Sequence, residues 1–367
     1  MRAASLVGLL GWSFLRAALP TFAQTSVPWD EFEILGERVA TGSRAQLELE
    51  TSESFAGSTV ITPVLAVRGQ TPGPTVCLTA GIHGDELNGI EVVRQVFETI
   101  EPGTISGTLI GVPVANLHGF RRSSRYLPDR RDLNRFFPGH ASGSSASRIA
   151  SALFYGVAVH CDLLVDFHTG SFHRTNLPQV RADLTNPAVK TLALGFGVPL
   201  IVHSAGAPGT LRRALVDHGI PAITYEAGEP FRFHAGEIAR GLQGVRRLLR
   251  SLRMIDGEPA EGEPILIRAA TWARVSDGGI FIPKRKLGDI VKAGELLGTV
   301  TDPITNDRSE IRSISGGRII GMALPQVVIP GFAAFHLGNE NARLAITTPE
   351  SGAGPAPDVL DPEERPE

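Results

Sequence analysis

The sequence predicts an α/β fold with a mixed sheet flanked by helices, followed by a small all-β domain. Three observations carry that prediction. Short apolar runs of strand length alternate with helical periodicity between residues 75 and 254. A polar stretch rich in Gly, Pro and Glu then occupies residues 256–264. Beyond it, residues 265–346 carry many glycines and short β-like runs but no helical period. At 367 residues and 42% hydrophobic content the chain is long enough to bury a sizeable core.

The elements follow in order. Residues 75–80 (Thr-Val-Cys-Leu-Thr-Ala) have strand composition, and Ile90, Val93, Phe97 and Ile100 then recur at helix spacing. Residues 109–112, 163–167, 199–202 and 220–225 read as further strands, and 149–159, 187–196 and 211–218 as helices between them. A last amphipathic helix carries Ile238, Leu242, Val245, Leu249 and Leu252. Such alternation implies a largely parallel or mixed sheet covered by helices. The organisation expected is an export signal over 1–23, an α/β domain over 24–255, a linker over 256–264, a β domain over 265–348 and a disordered tail over 349–367. The tail is Pro-rich and acidic and lacks aromatic residues.

The N-terminus reads as an export signal: Arg2 precedes a mostly apolar stretch from Leu6 to Phe22, and Thr21-Phe22-Ala23 offers a weak cleavage site. A buried N-terminal helix is the alternative. Arg16 interrupts the apolar run and argues against a membrane span. The expectation is an exported, periplasmic protein, with a cytoplasmic one as the alternative. Net charge is −3, with acidic and basic residues mixed, so nothing argues for nucleic acid as a partner. The two cysteines, Cys77 and Cys161, sit in strand-like surroundings without CxxC spacing and read as buried free thiols.

Four segments carry chemistry, most of them at strand ends, where ligands collect in open α/β sheets. Ala80-Gly81-Ile82-His83-Gly84-Asp85-Glu86 places His83 and Glu86 three apart, so one turn can aim an imidazole and a carboxylate at one point. By itself this spacing is a weak signal, since a lone histidine after a strand is more often structural than a ligand. Asp166-Phe167-His168-Thr169-Gly170 supplies a second histidine, which would complete a His₂Glu set with a fourth position open, as in catalytic zinc sites. Asp166 could orient an imidazole from behind, or strand alternation could equally place it elsewhere. In Ile223-Thr224-Tyr225-Glu226-Ala227-Gly228 a carboxylate ends an apolar strand, which suits a general base or a salt-bridged structural residue. Arg125-Tyr126-Leu127-Pro128 and Arg130-Arg131-Asp132-Leu133-Asn134-Arg135-Phe136-Phe137-Pro138-Gly139 form an arginine-rich loop. Arginine binds carboxylates through two parallel hydrogen bonds. A solvated basic loop is the plainer reading.

Together the four segments resemble the aspartoacylase/succinylglutamate desuccinylase family, relatives of the zinc carboxypeptidases, over roughly residues 60–345, and look most like its bacterial deacylase branch. The resemblance implies a zinc-carboxypeptidase-like mixed sheet, one zinc ion (Zn2+) per chain, and His83, Glu86 and His168 as its ligands. It implies Glu226 as the base in hydrolysis by metal-activated water, with Asn134 and Arg135 clamping the substrate carboxylate. Arg125 resembles the family's arginine that polarises the scissile carbonyl, with Arg130 in the same loop as the alternative. The activity implied is deacylation of an N-acylated amino acid. A zinc carboxypeptidase or peptide amidase acting on extracytoplasmic peptides, an esterase using the same site, and a non-catalytic zinc module are the rivals. The partner expected is therefore a small N-acyl amino acid or short peptide, with room left for a homo-oligomer.

The C-terminal part has its own resemblance. Gly278-Gly279-Ile280-Phe281, the run from Leu287 to Gly298, and Ser315-Gly316-Gly317-Arg318-Ile319 are similar to lipoyl/biotinyl-type β repeats. No Met-Lys attachment hairpin occurs, so the expectation is an unmodified domain that shapes the active-site mouth, mediates assembly or serves a structural role.

Overall fold

The structure, a computed structural model, describes residues 29–53, 59–258 and 262–340. The expected export signal and acidic tail, and part of the expected linker, lie outside the described residues.

A two-stranded ribbon, β1 (Glu33–Ile34) and β2 (Glu37–Arg38), precedes a long hairpin of β3 (Ser43–Glu53) and β4 (Thr59–Arg68). The α/β alternation then runs β5 (Thr71–Ala80), α1 (Leu87–Thr99), β6 (Ser106–Val112), α2 (Leu117–Arg121), α3 (Ser145–Gly156) and β7 (Leu163–His168). It continues with β8 (Arg174–Ala182), α4 (Pro187–Phe196), β9 (Leu200–His203), α5 (Leu211–Asp217), β10 (Ala222–Gly228) and α6 (Ala235–Ser251). The C-terminal part follows as β11 (Ile265–Ile267), β12 (Ala269–Arg274), β13 (Gly279–Pro283), β14 (Ile290–Val291) and β15 (Leu296–Thr301). Last come β16 (Arg308–Arg312), β17 (Gly317–Ala323), β18 (Gln326–Val328) and β19 (Ala333–Asn339). No helix among the described residues is long and apolar enough to cross a membrane.

The sheet is mixed, as expected. Strands β10, β7, β5 and β6 are mutually parallel neighbours, while β8 and β4 pair antiparallel on either side of them. Residues on β5 alternate between two cores. Val76, Leu78 and Ala80 join Val165, Phe167, Ile223 and Tyr225 on the face covered by α1, α4 and α6. Cys77 joins Ile110, Val112 and Leu164 on the face covered by α3 and α5. Such near-continuous apolar strands are what burial on both faces requires. They are also why the sequence marks these strands clearly.

Helix α4 shows how closely local chemistry sets boundaries. Asn186 Oδ1 accepts hydrogen bonds from the backbone N–H of Ala188 (3.0 Å) and Val189 (3.3 Å), and Pro187 occupies the first turn. Gly197 ends the helix at φ 70°.

Three features depart from the sequence expectation. Strand β8 falls outside the elements read from sequence: Arg-Thr-Asn-Leu-Pro-Gln-Val-Arg-Ala is polar on one face and carries Pro178, which masks its alternation. The C-terminal strands, all β as expected, divide between two sheets. Strands β16, β15, β13 and β18 form a separate four-stranded sheet, but β12, β14, β17 and β19 extend the main one through β17–β8 pairing. Arg174 on β8 reinforces that seam: its Nε donates to the Ala333 carbonyl at 2.7 Å and its guanidinium lies 4.3 Å from the Phe332 ring centroid.

The third departure corrects the reading of the cysteines as free thiols. Cys77 and Cys161 form a disulfide across 84 residues of sequence, with Cα atoms 5.8 Å apart and both residues buried. The parallel pairing of β5 with β7, which sets Cys77 opposite Leu164, brings the segment before β7 back to β5. Spacing in the sequence carries no trace of this.

Because the bond closes a long loop, its removal acts chiefly on the unfolded chain. The Cys77→Ala/Cys161→Ala variant is expected to lose about 2–5 kcal/mol of unfolding free energy. Denaturant titration with and without reductant checks this: identical midpoints for wild type, reduced wild type and variant would show that the bond contributes nothing.

Candidate active site

The carboxyl ends of adjacent parallel strands build the site. After β5 ends at Ala80, Gly81 (φ 63°) turns the chain into the loop that carries His83 and Glu86. A Cβ on Gly84 would run into the Gly119 backbone of α2, so this loop requires glycine there to lie flat. Glu86 stands at the N-cap position of α1, yet its side chain makes no capping hydrogen bond. Its carboxylate instead turns towards His168, the last residue of β7.

Three donor groups converge. His83 Nδ1 lies 2.9 Å from Glu86 Oε1, His168 Nδ1 lies 2.9 Å from Glu86 Oε2, and the two Nδ1 atoms are 3.1 Å apart. All three residues are buried, and their ligand atoms lie within 4.8 Å of one another. Each imidazole turns its other nitrogen to a carboxylate. His168 Nε2 meets Asp166 Oδ2 at 2.7 Å, and Asp166 Oδ1 accepts from the Thr79 hydroxyl at 2.8 Å. His83 Nε2 meets Asp132 Oδ1 at 3.1 Å. Carboxylate-backed imidazoles with one nitrogen free to point inward are the arrangement metal ligands adopt. Two imidazoles plus one carboxylate are also the donor set of an open, catalytic divalent site. The described residues therefore fit a transition-metal ion.

The charges agree. Burial alone would raise the Glu86 carboxyl, but the His83 and His168 imidazoles hold it well below its usual range. Burial would likewise raise Asp132, which Arg125 and His83 hold well below the ordinary carboxylate range. Burial would lower His168, yet Asp166 and Glu86 push it well above the usual imidazole value. The negative charge of Asp166 and Glu86 that favours a proton on His168 would equally attract a metal cation, which must displace that proton to bind.

Arg125, 10% exposed, lies beside this cluster. It donates from one terminal nitrogen to Glu86 Oε1 at 3.1 Å and from the other to Asp132 Oδ2 at 2.9 Å, and its guanidinium sits 5.4 Å from the Phe172 ring centroid. Asn134 and Arg135 occupy a single helical turn just beyond. Asn134 Oδ1 accepts from the Leu211 N–H at 2.9 Å, tying this loop to α5. Arg135 is 43% exposed and lies 3.9 Å from Asp132 Oδ2, so its guanidinium faces open space at the site's rim. Arg130 goes elsewhere: it is exposed, at φ 68°, in a turn closed by its own N–H donating to the Leu127 carbonyl at 2.9 Å.

Glu226, near the end of β10, stands directly opposite His168 in the parallel register, so both side chains rise from one face of the sheet. Its Oε2 accepts from Asn176 Nδ2 at 2.7 Å. Arg181 Nε lies 3.0 Å from its Oε1, an ion pair off the line of a hydrogen bond. Sequence reasoning did not single out Asp132, Thr79, Asn176 or Arg181. Asp132 stands two residues before Asn134 and could have been marked as its Asx-type partner, since the Asn134 N–H donates to Asp132 Oδ1 at 2.9 Å. Asn176 and Arg181 lie on β8, and no local signal pointed to them.

Comparison with known proteins agrees with this geometry. Residues 72–252 match the family model for the succinylglutamate desuccinylase/aspartoacylase catalytic domain. The chain is 26% identical over 270 residues to the N-alpha-acetyl-L-2,4-diaminobutyric acid deacetylase of Halomonas elongata, covering 70% of this chain and 78% of that protein. It is 31% identical over 126 residues to succinylglutamate desuccinylase of Pseudomonas aeruginosa, a match covering 31% of this chain and 35% of the relative. Among solved structures, the ectoine utilization protein EutE (DoeB) of Ruegeria pomeroyi superposes with a TM-score of 0.75 at 25% identity, over 84% of this chain and 99% of that one. A succinylglutamate desuccinylase/aspartoacylase structure from Rhodobacter sphaeroides gives 0.73 at 25% identity, over 81% and 95%.

The Asp132 carboxylate, 14% exposed, serves the largely covered Arg125 guanidinium and the buried His83 imidazole at once. Asp132→Ala leaves both without that partner and is expected to cost about 3–5 kcal/mol, as breaking buried ion pairs does. Asp132→Asn should cost less. Urea unfolding measures both, and a loss under about 1 kcal/mol for the alanine variant would refute the bridging role.

Proposed function

The chain belongs to the succinylglutamate desuccinylase/aspartoacylase family, and from that premise we propose that it is a zinc-dependent amidohydrolase removing the acyl group from an N-acylated amino acid. The observation that carries this reading is the convergence of His83 Nδ1, His168 Nδ1 and the Glu86 carboxylate, with Glu226 in register beside His168.

His83, Glu86 and His168 would hold the zinc, with Asp132 and Asp166 fixing the two imidazoles. A zinc ion there supplies Lewis acidity towards the acyl oxygen and the attacking water. Glu226 accepts the proton from that water and later delivers it to the departing nitrogen, so one carboxylate serves as base and then as acid. Arg125, 10% exposed and kept charged by Asp132 and Glu86, is the cation nearest the three proposed ligands, and its role would be to stabilise the developing oxyanion. Arg135, exposed at the rim and only distantly paired with Asp132, binds the substrate carboxylate, and Asn134 holds the loop that presents it.

The Halomonas relative's name makes a short acyl group on an α-amino acid the first class to test. A panel of N-acetyl and N-succinyl amino acids, dipeptides and simple esters, offered to the zinc-loaded protein, decides the substrate class. N-acyl amino acids should be cleaved fastest, and a clear preference for dipeptides would overturn the deacylase reading. The Cys77–Cys161 disulfide supports the reading of an exported, periplasmic protein, since such bonds persist in oxidising compartments.

Three further outcomes are expected. Metal analysis should find one zinc per chain in the wild type and little in His83→Ala or His168→Ala; full zinc in both variants would sink the ligand assignment. Glu226→Gln preserves shape, so it should retain zinc while turnover falls about 10²–10⁴-fold. Loss of zinc from that variant would make Glu226 a ligand instead. Arg135→Ala should lower kcat/KM by on the order of a hundredfold for substrates with a free carboxylate and far less for their amides. Equal losses on both substrate types would assign Arg135 to holding the loop.

A further inference from the structure

The reading of Glu226 as the base leaves open what aims its carboxylate. Zinc ligands are backed by Asp132 and Asp166, whereas Glu226 is held from the opposite side, by β8. Asn176 is buried, and its Nδ2 donates to Glu226 Oε2 at 2.7 Å. The amide must present its nitrogen there, because the alternative flip would set two oxygens against each other. Arg181, five residues further along β8, approaches Oε1 at 3.0 Å.

What holds Asn176 comes from the C-terminal part of the chain. Strand β17 pairs with β8 so that Gly321 stands directly opposite Asn176. A Cβ at position 321 would overlap Asn176 Oδ1 and would stand 3.4 Å from the His336 Cβ. His336, on β19, is in turn buried and stacked on Trp272 of β12, with centroids 4.4 Å apart and planes within 4°. The amide therefore sits between a carboxylate and a wall that leaves it room only because residue 321 has no side chain.

We infer that Asn176 is the positioning residue for Glu226, and that Gly321 on β17 sets Asn176 in place, so that the C-terminal β strands take part in aligning the base. This rests on the reading of Glu226 as the base. One hydrogen bond to the carboxylate limits its rotation while leaving lone pairs on both oxygens for proton transfer. Misalignment of a reacting group by a fraction of an ångström lowers turnover without weakening substrate binding.

The test uses the full-length, zinc-loaded protein and the N-acyl amino acid cleaved fastest in the panel above. Asn176→Ala and Gly321→Ala should each lower kcat on the order of tenfold, with KM, zinc content and melting temperature little changed. Asn176→Asp keeps the shape but sets a second carboxylate against Glu226, so it should be slower than Asn176→Ala; a purely structural side chain would rank them the other way. In a Glu226→Gln background, Asn176→Ala should change the residual rate by less than about twofold, since the two act through one group. Full kcat in Asn176→Ala, or Asn176→Asp faster than Asn176→Ala, would overturn the proposal while Glu226→Gln remains inactive. If Glu226→Gln itself stays active, the base assignment falls and this proposal falls with it, so the two failures are told apart.

Discussion

Parallel pairing of β5, β7 and β10 is the constraint from which the site follows. The register sets Thr79 beside Asp166, and Glu226 beside His168. Backbone hydrogen bonds between strands therefore place the imidazole, its supporting carboxylate and the proposed base in adjacent rows, before any side-chain contact forms. The same pairing brings Cys161 to Cys77, so the disulfide reinforces the strand neighbourhood that carries the site. Apolar residues on both faces of these strands make the register costly to change, because a one-residue slip would turn Phe167 and Tyr225 out of their core.

Around that frame, electrostatics is arranged to draw positive charge inward. Asp166 and Asp132 stand behind the two imidazoles, and Glu86 stands between them. Arg125 answers part of this negative charge by bridging Glu86 and Asp132. A buried cluster of this kind is stable only when every member has a partner, which explains why so many of its polar atoms are shared. Arg135 differs in being 43% exposed, with only a 3.9 Å approach to Asp132 and a hydrogen bond to the Asn134 carbonyl.

The C-terminal β strands are joined to this frame. Pairing of β17 with β8, the Arg174 hydrogen bond to Ala333 and the Trp272–His336 stack carry the main sheet on past the strand that touches Glu226. The seam and the site thus share residues, and a change on one side reaches the other through Asn176.

The sequence by itself determined the strands and helices whose chemistry is local. Helix α4 ends where Asn186, Pro187 and Gly197 require, and β5, β7 and β10 announce themselves as apolar runs because both of their faces are buried. His83, Glu86, His168 and Glu226 could be marked as candidates because each stands at or just beyond the end of such a run, while the roles proposed for them came from the family resemblance. Tertiary structure alone decided the rest. Strand β8 is polar on the face it turns to the site, so its pattern resembles a loop until β10 and β17 pair with it. Asp132 met His83 across 49 residues of chain, and Asn176 and Arg181 met Glu226 across 50 and 45. Cys77 and Cys161 met across 84. Local propensity reports what a segment does with its neighbours in sequence, whereas pairing across such distances is set by sheet register, which no short window contains.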